Sequence, residues 1–153
     1  MTPATRVPTC LFEESFPAEE VSVGVARQGV WNVLRAAGYC DDLAGDAGTI
    51  VTELASNAVR AAVEEPIRVR LSTVHGGGVW VEVWDDQDAE PAPRPAVQSL
   101  DDLDELSCDE LIGGWGLGIV ASLSAAQGVR TTEPHGKWVG ALVATRPDGT
   151  TPR

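Results

Sequence analysis

Apolar residues recur along this chain with two periods, about 3.6 and 2 residues, and the switches between them mark out its elements. Residues 9–16 (TCLFEESF) read as a first strand. Over residues 18–37, Val23, Ala26, Val30, Val33, Leu34 and Ala37 fall at helical spacing, and Gly38 is placed to stop that helix. A second helix is predicted from Asp42 to Val63, with Pro66 beyond its end. Ile67, Val69 and Leu71 then alternate with Arg68, Arg70 and Ser72, the pattern of a half-buried strand. Gly76-Gly77-Gly78 supplies a turn, and Val79, Val81 and Val83 form the returning strand of a hairpin that ends at Asp85. Residues 86–112 are a long connection, first proline-rich and then acidic, of a length usually reserved for functional or mobile loops. Leu117–Ala126 reads as a third helix. Val129–Thr132 and Trp138–Ala144 read as two closing strands around Pro134-His135-Gly136.

This order of elements predicts an α+β fold: a two-layer sandwich with helices covering one face of a mixed sheet. A single domain spans residues 9–145. Residues 1–8 and 146–153 are polar, proline-bearing and expected to be flexible. The length of 153 residues suits one core, and 43% hydrophobic residues suit a globular chain. There is no internal repeat.

Charge narrows the range of partners. A net charge of −12 argues against direct nucleic-acid binding, which needs a basic footprint, and against anionic membrane surfaces. It suits a protein partner with a basic patch. No long apolar run or signal-peptide pattern is present, so a cytoplasmic location is expected. Cys10, Cys40 and Cys108 are odd in number and widely spaced, without CxxC, and His75 and His135 lack metal-like spacing to them. Free thiols are expected rather than a disulfide or zinc site.

Three places carry candidate chemistry. Glu53 and Asn57 lie four residues apart in the second helical pattern, so they project within roughly 40° of each other. Ile50, Leu54 and Ala58 occupy the adjoining sector, which puts the pair at the edge of a buried face. Asn57 could offer its amide oxygen to Mg²⁺, a cation that favours hard oxygen ligands, and Glu53 could orient or deprotonate an attacking hydroxyl. The plainer reading is a helix acid and a surface amide, neither of them chemical, with Arg60 either pairing with Glu53 or serving a phosphate role. The second place is Gly113 to Gly118, a glycine-rich turn before a helical pattern, able to present backbone N–H groups to phosphate. The third is Asp85 at a strand end, where a carboxylate could accept from an exocyclic amine such as adenine's. Asp86 and Asp88 compete for that assignment. The acidic run from Asp101 to Glu110 reads as a solvated face, with Leu100, Leu103 and Leu106 spaced for one short amphipathic helix.

Taken together, these residues resemble the GHKL ATPase superfamily, and within it the small anti-sigma-factor type serine kinases of bacterial partner-switching systems. Phe16-Pro17-Ala18, with Ser22-Val23 and Ala26-Arg27, looks like the opening of those proteins. Ile50-Val51-Thr52-Glu53-Leu54-Ala55-Ser56-Asn57-Ala58-Val59-Arg60 resembles their N-box helix. Val81-Glu82-Val83-Trp84-Asp85 is similar to the strand ending in the adenine-reading aspartate. Gly114-Trp115-Gly116-Leu117-Gly118-Ile119-Val120 resembles the second glycine box, and Gly136-Lys137-Trp138-Val139 the closing strand beside the nucleotide pocket.

The resemblance implies a Bergerat-type ATP fold with residues 86–112 as the ATP lid and ATP with Mg²⁺ as cofactors. Glu53 would be the catalytic base, and Asn57 would hold the metal. Asp85 would read adenine, and Gly114, Gly116, Leu117 and Gly118 would bind the phosphates. The implied activity is transfer of phosphate to a Ser or Thr of an anti-anti-sigma-type antagonist, with sequestration of a sigma factor or similar transcription regulator. Homodimerisation is compatible with this reading. The chain departs from the family pattern at Ala61, where a histidine is frequent, and at Gln87, Asp88 and Ala89, where glycines are usual. No Lys or Arg lies between Pro95 and Gly113. These departures motivate the alternative of a catalytically silent binding module of the same fold. A third reading is an unrelated two-layer α+β enzyme.

Overall fold

The computed structural model describes residues 9–74, 77–88, 120 and 123–144. In chain order the elements are β1 (Cys10–Phe16), α1 (Glu20–Ala36), α2 (Asp41–Ala61), β2 (Ile67–Thr73), β3 (Val79–Asp85), β4 (Ala126–Thr131) and β5 (Lys137–Val143). The five strands form one sheet in the order β1-β2-β3-β5-β4. The α+β sandwich is as expected.

The sheet differs from expectation in being antiparallel at every pairing rather than mixed. The long connection after β3 does return the chain in the direction of β3. However, β5 inserts between β3 and β4, so those two like-directed strands never pair.

Side-chain period explains the two layers. On β2 and β3, Ile67, Val69, Leu71, Val79, Val81 and Val83 are buried toward the helices. α1 contributes Ala26, Val30 and Leu34, and α2 contributes Leu43, Ala47, Ile50, Val51, Leu54 and Ala58, to one continuous core. Burial of each Val, Leu or Ile side chain among them stabilises by about 1.5–3 kcal/mol. α1 stops where Gly38 adopts φ +92°. There Gly38 N–H donates to Arg35 O and Tyr39 N–H to Leu34 O, a Schellman closure.

α2 ends at Ala61, two residues before the expected Val63. The next backbone N–H groups are taken by a side chain instead of helical carbonyls: Val63, Glu64 and Glu65 all donate to the Asp86 carboxylate, at 3.0, 2.9 and 3.0 Å.

The third helix is described only at Val120 and Leu123, and Val120 is buried in the core. It does not reach Ala126 as expected. Ala125 N–H donates to Leu142 O and Ala126 pairs with Leu142, so strand pairing captures the chain three residues before the predicted Val129. The acidic run 101–110 and nearly all of the proposed lid lie outside the described residues.

The sheet face turned away from the helices carries Trp80, Trp84 and Trp138 among arginines. The Arg70 guanidinium lies 4.1 Å from the Trp138 ring centroid and Arg68 lies 4.9 Å from that of Trp84. Glu82, only 6% exposed, pairs with Arg70 and accepts from Trp80 Nε1 at 3.1 Å. No described helix is long and apolar enough to cross a membrane. No disulfide joins the described cysteines Cys10 and Cys40.

Candidate active site

Two of the predicted residues meet at one place. A cavity of about 40 Å³ between α2 and strands β3 and β5 is lined by Leu54, Asn57, Ala58, Ala61, Val83, Asp85, Lys137 and Val139. Helical spacing brings Leu54, Asn57, Ala58 and Ala61 to one side of α2. Alternation along the strands brings Val83, Asp85, Lys137 and Val139 to the opposing face, with Asp85 paired with Lys137 and Val83 with Val139 across the β3–β5 ladder. Ordinary ligand pockets are about 300–1,000 Å³, so a nucleotide base enters only if these walls part. A wider, open depression of about 480 Å³ runs between Ser15–Ala18 and Ala62–Pro66, but none of the predicted site residues lines it.

At the polar end of the cavity, Lys137 Nζ donates to Asp85 Oδ1 at 2.8 Å, to Oδ2 at 3.1 Å and to Gln87 O at 3.1 Å. Gln87 N–H adds a bond to Asp85 Oδ1 at 2.9 Å. Both side chains of the ion pair are almost wholly buried, 3% and 4% exposed. The sequence pattern places Lys137 only at the start of a closing strand. Its pairing with Asp85 follows from strand register, which residue types alone do not reveal.

The rival acids near Asp85 have other work. Asp86 caps the chain after α2 through the three amides described above. Burial opposes its ionisation, but those N–H bonds and one from Gln87 outweigh it and hold the carboxyl well below the usual carboxylate range. Asp88 Oδ1 accepts the Gly136 N–H at 2.8 Å. Of these three acids, Asp85 alone lines the cavity.

Asn57 lines the cavity with its amide oxygen bonded to Arg60 Nη2. Arg60 therefore reaches Asn57, not Glu53. Glu53 is half-buried one turn earlier on α2 and does not line the cavity. Gly114, Gly116, Leu117 and Gly118 lie outside the described residues. Among the described residues no group of three His, Cys, Asp or Glu side chains is placed to hold a metal. Mg²⁺ that travels with nucleotides is usually held by one or two carboxylates plus substrate phosphates; the Asn57 amide oxygen is a hard donor that would add to such a set.

The β4–β5 turn holds Lys137 in position. Gly136 has φ +90°, and a Cβ there would stand 2.3 Å from Trp84 Cζ2 and 2.7 Å from Asp85 O. Thr132 Oγ1 accepts from Trp84 Nε1 at 2.9 Å and donates to His135 O at 2.6 Å. His135 Nε2 bonds Glu65 in the loop after α2. That hydrogen bond, opposed by desolvation and helped by the charges of Glu65, Asp88 and Asp86, raises the imidazole above its ordinary value.

A helical layer over an antiparallel sheet, with an amide and a carboxylate lining a cavity between them, defines a small α+β domain. The chain belongs to the histidine kinase-like ATPase domain family, which matches residues 16–142. Its fold is similar to that in the crystal structure of the RsbU and RsbW domains of Rv1364c from Mycobacterium tuberculosis. The TM-score is 0.60 at 15% identity, over 90% of this chain and 32% of that one. The chain thus spans about a third of the length of that structure, and at this identity the likeness is one of fold. No curated protein matches the chain.

Proposed function

We propose that this chain is an ATP-binding regulator of anti-sigma-factor type that transfers phosphate to a protein partner. The observation that carries the reading is the convergence of Asn57 and Asp85 on one cavity in a histidine kinase-like ATPase domain. The base would enter between Ala58 and Val83 and meet Asp85. Asn57 would exchange Arg60 for Mg²⁺ bound to the phosphates, and the metal would neutralise charge on the transferred group. Gly114, Gly116, Leu117 and Gly118 would donate backbone N–H groups to the phosphates. Glu53, next to Asn57 on α2, would take the proton from a Ser or Thr hydroxyl as that oxygen attacks the γ-phosphorus and the bond to the β-phosphate oxygen breaks. The partners proposed are an anti-anti-sigma-type antagonist as phosphate acceptor and a sigma factor or similar regulator as the sequestered target, in the cytoplasm.

A second reading is favoured by a specific observation. Asp85 is already bonded to Lys137, Asn57 to Arg60, and the cavity holds little more than water. A module of the same fold could act by stoichiometric association alone. Glu53→Gln separates the two. Gln keeps size and one acceptor but takes no proton, and loss of a general base typically slows reaction ~10²–10⁴-fold. The kinase reading predicts unchanged nucleotide affinity by calorimetry and radiolabel transfer slowed by that range. Equal transfer rates in both proteins remove Glu53 as base, and no transfer by the wild type to any antagonist favours the module.

A further inference from the structure

We infer that Lys137 is a second base-reading residue of the cavity, its ammonium donating to ring nitrogen N1 of adenine while Asp85 accepts from the neighbouring 6-amino group. This rests on the reading of the cavity as an ATP site. Asp85 and Lys137 face each other across the β3–β5 ladder and line the same cavity as Asn57. Their side chains are 4% and 3% exposed. Only one end of a purine can reach a pair so deep. Ribose and phosphates have to stay on the solvent side, so the edge opposite the glycosidic nitrogen leads. That edge carries N1 and the carbon that bears the 6-amino group.

The chemistry of the pair then decides which residue meets which atom. An ammonium has three donors and no acceptor, and an ionised carboxylate has acceptors only. Within the pair, the adenine amine can be met only by Asp85, and N1, an acceptor, only by Lys137. The two groups stand side by side, as the two ring positions do: Nζ lies 2.8 Å from Oδ1 and 3.1 Å from Oδ2. Both have capacity for a base. Asp85 receives three donor contacts, two from Lys137 and one from Gln87 N–H, against about four acceptor sites. The remaining contact of Lys137 is to the neutral Gln87 carbonyl at 3.1 Å, which N1 can replace while the pair itself stays intact. That matters because a buried charge stripped of its partner is costly. The backbone holds the lysine in place: Asp88 accepts the Gly136 N–H at 2.8 Å, and Gly136, at φ +90°, leaves no room for a Cβ against Trp84 and Asp85 O. If Lys137 served only to neutralise Asp85, it would not matter to binding whether ring position 1 is nitrogen or carbon.

The test is calorimetry of the intact chain with Mg-ATP and with the Mg complexes of 1-deaza-ATP and 7-deaza-ATP, in which N1 or N7 is replaced by C–H. Wild type should bind 1-deaza-ATP about tenfold or more weakly than ATP, the scale of a lost hydrogen bond to a charged group. It should bind 7-deaza-ATP nearly as well as ATP. Lys137→Met removes the donor and should bring ATP and 1-deaza-ATP to similar affinity. Lys137→Gln keeps an N–H and should retain part of the preference, which a role in folding alone would not produce. Thermal denaturation checks that both variants fold, and the analogue comparison on wild type needs neither. Equal binding of ATP and 1-deaza-ATP by wild type, a larger loss with 7-deaza-ATP, or a preference unchanged in folded Lys137→Met overturns the role of Lys137 and leaves the ATP site standing. Failure of Mg-ATP to bind wild type overturns both.

Discussion

At the residue scale the site is organised around one buried charge pair. Lys137 is the only lysine in the chain, and it is spent on Asp85. Removing one partner of such a pair leaves an uncompensated buried charge, at a cost of about 3–5 kcal/mol. Asp85→Asn should therefore lower stability in urea denaturation by that order. A loss under 1 kcal/mol would mean the pair is solvated. His135 gives a second test. Its raised value, caused first by the Glu65 hydrogen bond, predicts an NMR titration midpoint above 6.5 that returns toward 6.5 in Glu65→Gln. Because the folded value exceeds the unfolded one, the stabilisation is complete below the unfolded midpoint. It is lost as pH rises through the folded midpoint. A His135 midpoint unmoved by Glu65→Gln would contradict the contact.

At the element scale, the sequence and the structure part at places with identifiable physical causes. The hairpin of β2 and β3 was legible because Ile67 to Leu71 and Val79 to Val83 alternate cleanly, and the end of α1 because Gly38 can take positive φ. Asn57 and Asp85 were legible as candidates, since residue type and position near an element's edge suffice for that. Helix and strand ends set by distant partners were not legible. Asp86 draws the amides after Ala61 out of α2 from 21–23 residues away. Leu142 pulls Ala126 into β4. Strand order was also beyond reach, because no local pattern says that β5 will lie between β3 and β4. The same non-local logic makes the β4–β5 turn sensitive. Gly136→Ala places a Cβ against Trp84 and forces φ +90° on an L-residue. It should cost about 1–3 kcal/mol in denaturation and weaken nucleotide binding by displacing Lys137. A neutral effect on both would show that the turn does not position the lysine.

At the scale of the whole molecule, a layer of helices lies on an antiparallel sheet, and α2 faces β3 and β5 across a seam. The candidate chemistry lies in that seam. The net charge of −12 makes an anionic cofactor dependent on local compensation. In the proposed function, Mg²⁺ held by Asn57 and the backbone N–H groups of Gly114 to Gly118 would supply that compensation. On the opposite face, Arg68 lies over Trp84 and Arg70 over Trp138, while Glu82 accepts from Trp80 and pairs with Arg70. For the proposed function, this seam must open to receive a nucleotide. An amide-resolved NMR titration with Mg-ATP measures it most directly. Saturable shifts are expected at Asn57, Ala58, Val83, Asp85, Lys137 and Val139, with Trp80 and Glu82 on the far face much less affected. No shifts at millimolar Mg-ATP, or shifts confined to residues outside the seam, would contradict it.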